Sequence, residues 1–425
     1  MWFNKKDLTI KPIINIDNLY GYVLPHAGTT YSGQIISHTL RFRPKPPKQI
    51  KKIIILYYPA SDTPDININT LDGTTLSYYH EYYVPWKSID YIFSNNKYSN
   101  NKYSTSNSNN ILYEGYNIKD IDTKKLDINT IIKSFNLDDT LIVVSSDFSH
   151  FLPFNEAREL ENKAAHSLMF REFNNSPYIN IVDDVKTYEI LYKVIPNQLQ
   201  LQWIGRTRSL GKSGVGYLSF LLRDNKIPQV SVSNTNNTNN TKLPDGIFIT
   251  AFDKKMNARE CLGNWYDTSN SNSWTLKNET ELKNKVINLA QTTSRLSGGS
   301  NIEIPISNYT VTYLYKDTTH NFIRGYHGIL HNAFYLPEVF LENTYNNGKW
   351  IKPTDTMWLT GTTFNLEETF SQLNIKAGIT KRNTKRKTQI QKIQTKKTQT
   401  KSITNNSTNY TLYSSNVIHY KINTN

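Results

Sequence analysis

Two stretches decide the fold prediction for the first half of the chain: residues 24–33 read LPHAGTTYSG, and residues 143–151 read VVSSDFSHF. Each stretch completes or follows a short apolar run, at residues 20–24 and 141–144, and a third such run lies at residues 53–58. Short apolar runs bounded by turn residues are typical of buried strands. Residues 33–40 and 157–173 carry apolar side chains at helical spacing. Strands that alternate with helices predict an α/β domain with a layered, partly parallel sheet.

Polar side chains follow directly after two of these strands. His26 follows the first, and Asp147 and His150 follow the run at 141–144. Open α/β sheets bind ligands beyond the carboxyl ends of their strands, and imidazole is the commonest metal-ligating side chain. Asp147 can orient a ring or a ligand while His150 acts as an acid, a base or a ligand. The structural alternative is a pair of capped turns, each with a hydrogen-bonded histidine.

Two polar, low-complexity stretches divide the chain. Residues 94–110 and 233–244 are rich in Asn and hold too few apolar side chains to join a core. We predict a first domain over residues 1–232 that contains the first stretch as an insertion, a linker at 233–244, and a second domain over residues 245–425. The second domain is predicted to be mixed α+β, with strands at 247–252, 302–306, 311–315 and 417–422 and helices at 281–292 and 366–373.

Composition excludes several classes of protein. The single cysteine, Cys261, excludes an intrachain disulfide and any multi-cysteine zinc or iron–sulfur cage. No stretch approaches about 18 consecutive apolar residues, so we predict no membrane span and no membrane partner. The first residues do not have the pattern of a secretory signal. We therefore expect an intracellular, cytoplasmic protein.

The positive charge of the chain is concentrated in one segment. The formal net charge is +14, and eleven basic residues but no acidic residue follow Glu368. The run from Lys381 to Lys401 lies inside an insertion, residues 380–415, that is predicted to be disordered. The run has no interleaved aromatic residues for base stacking, so the prediction is weak, nonspecific binding to nucleic acid. Nuclear import through the basic cluster at 381–387 is the alternative.

The second half has one candidate nucleophile. Cys261 lies two residues after Arg259, beyond the strand predicted at 247–252. A nearby cation favours the thiolate form of a cysteine, so Cys261 is a candidate catalytic residue and Arg259 a candidate residue for binding a cofactor. The alternative is a buried cysteine that acts as a small hydrophobic side chain.

The segment Gly211-Lys212-Ser213 does not form a phosphate loop. Such a loop needs a further glycine five positions earlier so that its backbone can curl around the phosphates, and that position holds Arg206. We predict instead that the glycine-rich segment leads into a helix over residues 215–222.

Residues 24–33 and 143–151 resemble the two signature segments of the Memo family, which typically read PHAGYxYSG and SSDFSHxG. That family shares its fold with class III extradiol dioxygenases, which hold non-haem iron with two histidines and a carboxylate. The resemblance implies that His26 and His150 are ligands of iron or copper and that Asp147 lines the same pocket. Three protein ligands leave open positions for oxygen and substrate.

The chain departs from the Memo pattern at two further positions that the resemblance implies for ligands. Ser61 stands where the family has a histidine, and Leu210 stands where it has a cysteine. A serine hydroxyl binds a transition metal weakly, and a leucine side chain does not bind one. The family's His-Ser-x-Glu segment has no counterpart, and His80 and His38 are the candidate replacement ligands. A degenerate metal pocket is therefore the first expectation.

Residues 248–265, FITAFDKKMNARECLGNW, resemble the FVTLKKxGxLRGCIG segment of the AMME chromosomal-region protein family. Similar segments follow in family order at 326–329, 333–339, 375–379 and 417–422, although Glu260 stands where the family has glycine. Both families occur with a radical S-adenosylmethionine protein in the grouping called AmmeMemoRadiSam. The resemblance implies that such a protein is a separate partner, because one cysteine cannot hold the three-cysteine cluster of that protein.

Three functions follow as hypotheses. The first is a module that binds a small molecule or a partner through a degenerate metal pocket. The second is an iron- or copper-dependent redox or dioxygenase-like enzyme. The third is a polyanion-binding or nuclear-targeted protein that acts through the basic insertion. The sequence names no substrate, because fold and lineage do not determine one.

Overall fold

The computed structural model describes residues 2–9, 13–45, 48–94, 111–173, 178–209, 214–224, 244–266, 276–292, 305–316, 328–330, 334–336, 342 and 411–422. Within these residues the strands are β1 (Ile14–Ile16), β2 (Leu19–Leu24), β3 (Phe42–Pro44), β4 (Lys52–Tyr57), β5 (Ile66–Asn69), β6 (Thr75–Tyr78), β7 (Leu112–Asn117), β8 (Thr140–Ser145), β9 (Leu199–Arg208), β10 (Gly216–Asp224), β11 (Gly246–Asp253), β12 (Ala258–Trp265), β13 (Ile306–Lys316), β14 (Gly328–Leu330), β15 (Phe334–Tyr335) and β16 (Thr411–Lys421). The helices are α1 (Thr29–Thr39), α2 (His80–Ser94), α3 (Lys119–Asp122), α4 (Ile128–Ser134), α5 (Phe154–Met169), α6 (Val185–Val194) and α7 (Leu276–Thr292).

The first large sheet has the strand order β7-β4-β8-β2-β10-β9. The strands β7, β4, β8 and β2 pair in parallel, and β10 is antiparallel to both β2 and β9. Every residue of β8 and the four central residues of β4 are buried. Strands buried on both faces need cover from helices on both sides, and α2 and α6 pack against these two strands. The predicted α/β architecture with parallel strand pairs is confirmed, and the predicted helices at 33–40 and 157–173 correspond to α1 and α5.

The register of β2 and β8 brings the two decisive stretches together. Leu24 pairs with Ser145, so the two strands end side by side. The chain continues the pairing for one more bond, because the Ser146 amide donates to the Leu24 carbonyl at 2.9 Å. His26 and Asp147 therefore leave the sheet at the same edge.

The helix predicted over residues 215–222 is wrong, because this stretch is the strand β10. It runs between β2 and β9, and its first eight residues are all buried. A continuous apolar run with aromatic residues such as Tyr217 and Phe220 suits a strand that is covered on both faces. Its first residue, Gly216, packs closely, since a Cβ there would lie 1.9 Å from Oε1 of Glu161.

The second large sheet follows the predicted linker and has the order β12-β11-β13-β16-β14-β15, with antiparallel pairing throughout. The helix α7 packs against β11, β12 and β13 around a core that includes Ile247, Val286 and Tyr313. The strands predicted at 247–252 and 417–422 and the helix at 281–292 are confirmed, and the strand predicted at 311–315 is part of β13. The helix predicted at 366–373, most of both low-complexity stretches and most of the basic insertion lie outside the described residues.

The two sheets contact each other through β9 and β16. The side-chain amide of Gln200 donates to the carbonyl of His419 at 2.9 Å and accepts from its backbone N–H at 3.0 Å. Beside these bonds the Phe170 ring packs edge-on against the rings of Phe252 and His419. The end of α5 therefore packs against the second sheet.

Candidate functional site

His26 is buried at the carboxyl end of β2, where three hydrogen bonds fix it. Its backbone N–H donates to Oδ1 of Asp147 at 3.0 Å, and its Nδ1 lies 3.0 Å from Oγ of Ser145. The Ser145 hydroxyl donates its single proton to the Glu81 carbonyl, so it accepts from the ring. The other ring nitrogen, Nε2, lies 2.9 Å from Oδ2 of Asp183. Both ring nitrogens therefore have partners within the chain.

The surroundings of His26 favour the imidazolium form. Burial alone lowers the pKa of His26, but attraction to Asp147 and the hydrogen bond to Asp183 outweigh it and raise the pKa to about 9. Burial pushes the pKa of Asp183 upward, yet its bond to His26 leaves the net shift downward. The deeper Asp147 has a raised pKa because burial disfavours its charged form. His26 and Asp183 thus form a hydrogen-bonded pair of opposite charge, an imidazolium and a carboxylate.

His150 lies near His26, on the far side of Asp183. The place beyond the carboxyl ends of β2 and β8 where His26, Asp147, Asp183 and His150 meet is called the crevice below. Its Nδ1 is 3.8 Å from Oδ1 of Asp183, whose Oδ2 contacts His26. The His150 side chain is more than one-third exposed, so it lies at the mouth of the crevice. The predicted residues His26, Asp147 and His150 therefore lie together, and one carboxylate reaches both imidazoles. Their chemical roles stay predictions.

A second cluster lies at the start of α2, beside His26. Asp65 accepts from the His80 backbone N–H at 2.9 Å and lies 2.7 Å from its Nδ1 through the other carboxylate oxygen. Oε2 of Glu81 lies 3.4 Å from the same Nδ1, while its Oε1 accepts from the Ala60 amide at 2.8 Å. The His80 ring is edge-on to the His26 ring, with 5.4 Å between centroids. The second cluster therefore directly adjoins the crevice.

Asp65, His80 and Glu81 form a cluster of three potential metal ligands. Two ligand atoms bound about 2.1 Å from one ion at tetrahedral or octahedral angles are about 3.0–3.4 Å apart. One ligand atom from each of the three residues lies within 4.8 Å of the other two. Among the residues that the structure describes, no other set of three His, Cys, Asp or Glu side chains meets this spacing. His26 has both ring nitrogens hydrogen bonded, and Nδ1 of His80 is itself hydrogen bonded to Asp65.

The positions where the chain departs from the Memo pattern, and the two candidate replacement ligands, differ in where they lie. Ser61 is exposed, and its hydroxyl bonds to Thr63. His38 is buried in α1 with its ring edge-on to Phe42. Leu210 lies outside the described residues. Of the two candidate replacement ligands, His80 is thus the one that lies next to His26.

A buried network holds the loop that carries His150. Arg208 donates to Oγ of Ser149 at 3.0 Å and to the carbonyls of Leu152 and Gly214 at 2.6 and 2.8 Å. Glu161 bonds to Ser149 and to Arg206, and it lies 3.5 Å from Arg208. Two guanidinium groups and one carboxylate, all nearly inaccessible to solvent, therefore fix the loop that carries His150 through buried hydrogen bonds and ion pairs.

The candidate residues of the second domain lie in the strand β12. Cys261 pairs with Thr250 of β11 and is partly exposed, and its N–H donates to Oε1 of Glu260 at 3.0 Å. Arg259 and Glu260 are buried. Glu260 occupies a paired strand position opposite Ala251, so no tight turn is required there. The predicted roles of Cys261 and Arg259 stay predictions.

Sequence reasoning missed three acidic residues in or beside the crevice: Asp65, Glu81 and Asp183. Asp183 precedes α6, whose N-cap is the adjacent Asp184, and a helix start after two aspartates gives no signal for a site. Glu81 is buried, which is rare for glutamate and is the sign that it has a specific partner. Burial of this kind cannot be read from residue order.

Comparison with known proteins leaves the family open. No family model matches the chain, and no curated protein matches it. None of the helices within the described residues is long and apolar enough to cross a membrane.

Proposed function

We propose that the first domain is a Memo-like, metal-dependent module that binds a small polar ligand in this crevice. Asp65, His80 and Glu81 would hold a divalent transition metal next to it. The observation that carries the proposal is the spacing of their ligand atoms, all within 4.8 Å of one another, beside the ring of His26.

Iron is the better match of the two predicted metals. One imidazole with two carboxylates is a hard, oxygen-rich ligand set, whereas copper(I) prefers thiolate and thioether ligands. Bound there, divalent iron would supply a Lewis-acidic centre with positions left open for a ligand.

The neighbouring group of His26, Asp183 and His150 supplies proton transfer and orientation. His26 presents a proton at Nε2, which Asp183 holds at 2.9 Å. Ser145 fixes the ring through Nδ1 at 3.0 Å, so the ring keeps one orientation. His150 lies at the mouth of the crevice, where its exposed side chain can exchange protons with solvent. A ligand bound beside both groups would meet an acid and metal ligands next to each other.

Metal stoichiometry tests this proposal. The full-length chain is stripped with a chelator, loaded with ferrous iron under argon, desalted and analysed for bound iron. We expect about one iron per chain, and its loss in Asp65→Asn and in His80→Ala. Asp62→Asn is the matched control, because Asp62 lies three residues away with a side chain 95% exposed.

The variants also separate the proposal from its competitor. If iron binding survives in Asp65→Asn and His80→Ala but is lost in His26→Ala, the ligands are the ones predicted from the sequence. Circular dichroism of each variant verifies that the fold is retained.

A metal-free binding module is the second candidate function. The hydrogen bonds to both ring nitrogens of His26 favour it, because they satisfy that side chain without a metal. If the stripped protein binds no iron, zinc or manganese in any variant, this candidate replaces the first.

Two further expectations remain proposals about partners. A separate radical S-adenosylmethionine protein is the partner that the resemblance implies, and copurification of the two chains would test it. Polyanion binding through residues 381–401 concerns a segment outside the described residues. Deletion of that segment should abolish retention on heparin, and unchanged retention would refute the idea.

A further inference from the structure

The first sheet has a second concave region, at the end opposite the crevice. A cavity of about 730 Å³ lies where β2, β4 and β8 begin. Apolar side chains of Ile16, Leu19, Tyr20 and Leu137 form part of its wall. A mostly preformed cleft of this size is large enough for a small organic molecule.

Three lysines line this cleft, and their surroundings differ. Lys45 lies 3.4 Å from Asp17, and Lys51 lies 3.7 Å from Asp139, with both ammonium groups well exposed. For Lys48, no carboxylate oxygen of the described residues lies within ion-pair distance. The cleft therefore contains two ion-paired lysines, Lys45 and Lys51, and one lysine, Lys48, whose contacts are not with a carboxylate of the described residues.

Lys48 is held by two neutral groups. Its Nζ donates to the Leu19 carbonyl at 3.2 Å and lies 4.1 Å from the centroid of the Tyr20 ring. The carbonyl and the ring restrict the amine to the cleft wall. Asp138 and Asp139, which line the same cleft, favour its charged form from a distance.

Burial in the cleft makes the amine more nucleophilic at neutral pH, against the two contacts, which favour its ammonium form. Burial lowers the pKa of Lys48 to about 8, against an opposing effect of Asp138 and Asp139. At pH 7.5 about a quarter of such amines are neutral, compared with about one in a thousand for an ordinary lysine. A desolvated lysine with a free electron pair is the usual nucleophile for carbonyl compounds.

We propose that Lys48 captures small aldehydes as imines in this cleft. The nitrogen lone pair attacks the carbonyl carbon and forms a carbon–nitrogen bond. The carbonyl oxygen takes up the protons that nitrogen loses and leaves as water, so one amine and one aldehyde give one imine and one water. The step needs no oxidant or reductant, and the carboxylates of Asp138 and Asp139 line the cleft as proton acceptors. This site is separate from the metal site and stands whether or not the proposed function holds.

Reductive trapping with glyoxylate tests the proposal. The full-length protein is incubated with glyoxylate and cyanoborohydride at pH 7.5, and the carboxymethyl adducts are quantified by peptide mass spectrometry. We expect Lys48 to be labelled at least about tenfold faster than Lys45 or Lys51, because its roughly 200-fold larger neutral fraction is only partly offset by the lower nucleophilicity of a less basic amine. Those two lysines are internal controls, because they line the same cleft but have ion-pair partners.

The pH dependence and one variant complete the test. The labelling rate of Lys48 should rise with pH to a midpoint near 8, since only the neutral amine reacts. Lys48→Arg should remove this labelling while the rates at Lys45 and Lys51 stay unchanged. Equal rates at the three lysines, or a midpoint near that of an ordinary lysine, would overturn the proposal.

Discussion

Replacement of Glu161 by alanine should destabilise the first domain strongly. Glu161 is the carboxylate between Arg206 and Arg208, and the three side chains are almost completely buried. Removal of one partner from a buried ion pair leaves uncompensated charge and typically costs about 3–5 kcal/mol. For a domain of this size that loss corresponds to a fall in melting temperature of about 6–20 °C.

Urea unfolding followed by tryptophan fluorescence measures the change, and Glu159→Ala is the control. Glu159 lies on the same helix and pairs with Lys163 at 2.8 Å, but its side chain is 66% exposed. Loss of an exposed pair costs at most about 1 kcal/mol. Comparable losses in the two variants would refute the argument that the buried network clamps the loop that carries His150.

Three other changes test separate features of the fold. Burial, and then the charge of nearby His166, lower the pKa of His419 to about 3. The contribution of His419 to stability is therefore complete above about pH 6.5 and is lost as the pH falls toward 3. The difference in unfolding free energy between wild type and His419→Gln should change between pH 7 and pH 4.5, and parallel curves would contradict this. Gly21→Ala should cost about 3 kcal/mol in urea unfolding, because its Cβ would lie 2.0 Å from a backbone carbonyl oxygen of β8, whereas Gly205→Ala meets only a hydroxyl at 3.3 Å as its nearest atom and should cost less. Asp184→Ala removes an N-cap that accepts from two amides of α6 and should cost about 1 kcal/mol in the same assay, with an unchanged midpoint as the contrary result.

The predictable part of the site comes from strand ends. His26 and Asp147 each follow a buried strand, and the carboxyl ends of parallel neighbours lie at one edge of a sheet. Their positions after strands made a site at this edge a hypothesis, and the family resemblance implied that His150 lies with them. The same logic failed for residues 215–222, because an apolar run fits a buried strand and a buried helix equally well.

The unpredictable part depends on tertiary packing. Asp65 and Glu81 approach each other only because the β5–β6 hairpin returns the chain to the start of α2. Asp183 reaches His26 from the loop that precedes α6 in the chain. None of these carboxylates has a local pattern that distinguishes it from a solvated acidic residue, so the local sequence gives no sign that they lie together.

The contact of Gln200 with β16 has a consequence for how the chain can be cut. β9 is the outermost strand of its sheet, and such strands invite pairing with other molecules. The side-chain amide of Gln200 hydrogen bonds to the backbone N–H and carbonyl of His419. β16 thereby covers part of the β9 edge. A fragment that ended after β10 would expose this edge to other copies of itself. We therefore expect a fragment that ends after β10 to self-associate more than the whole chain does, which size-exclusion chromatography of the two would show.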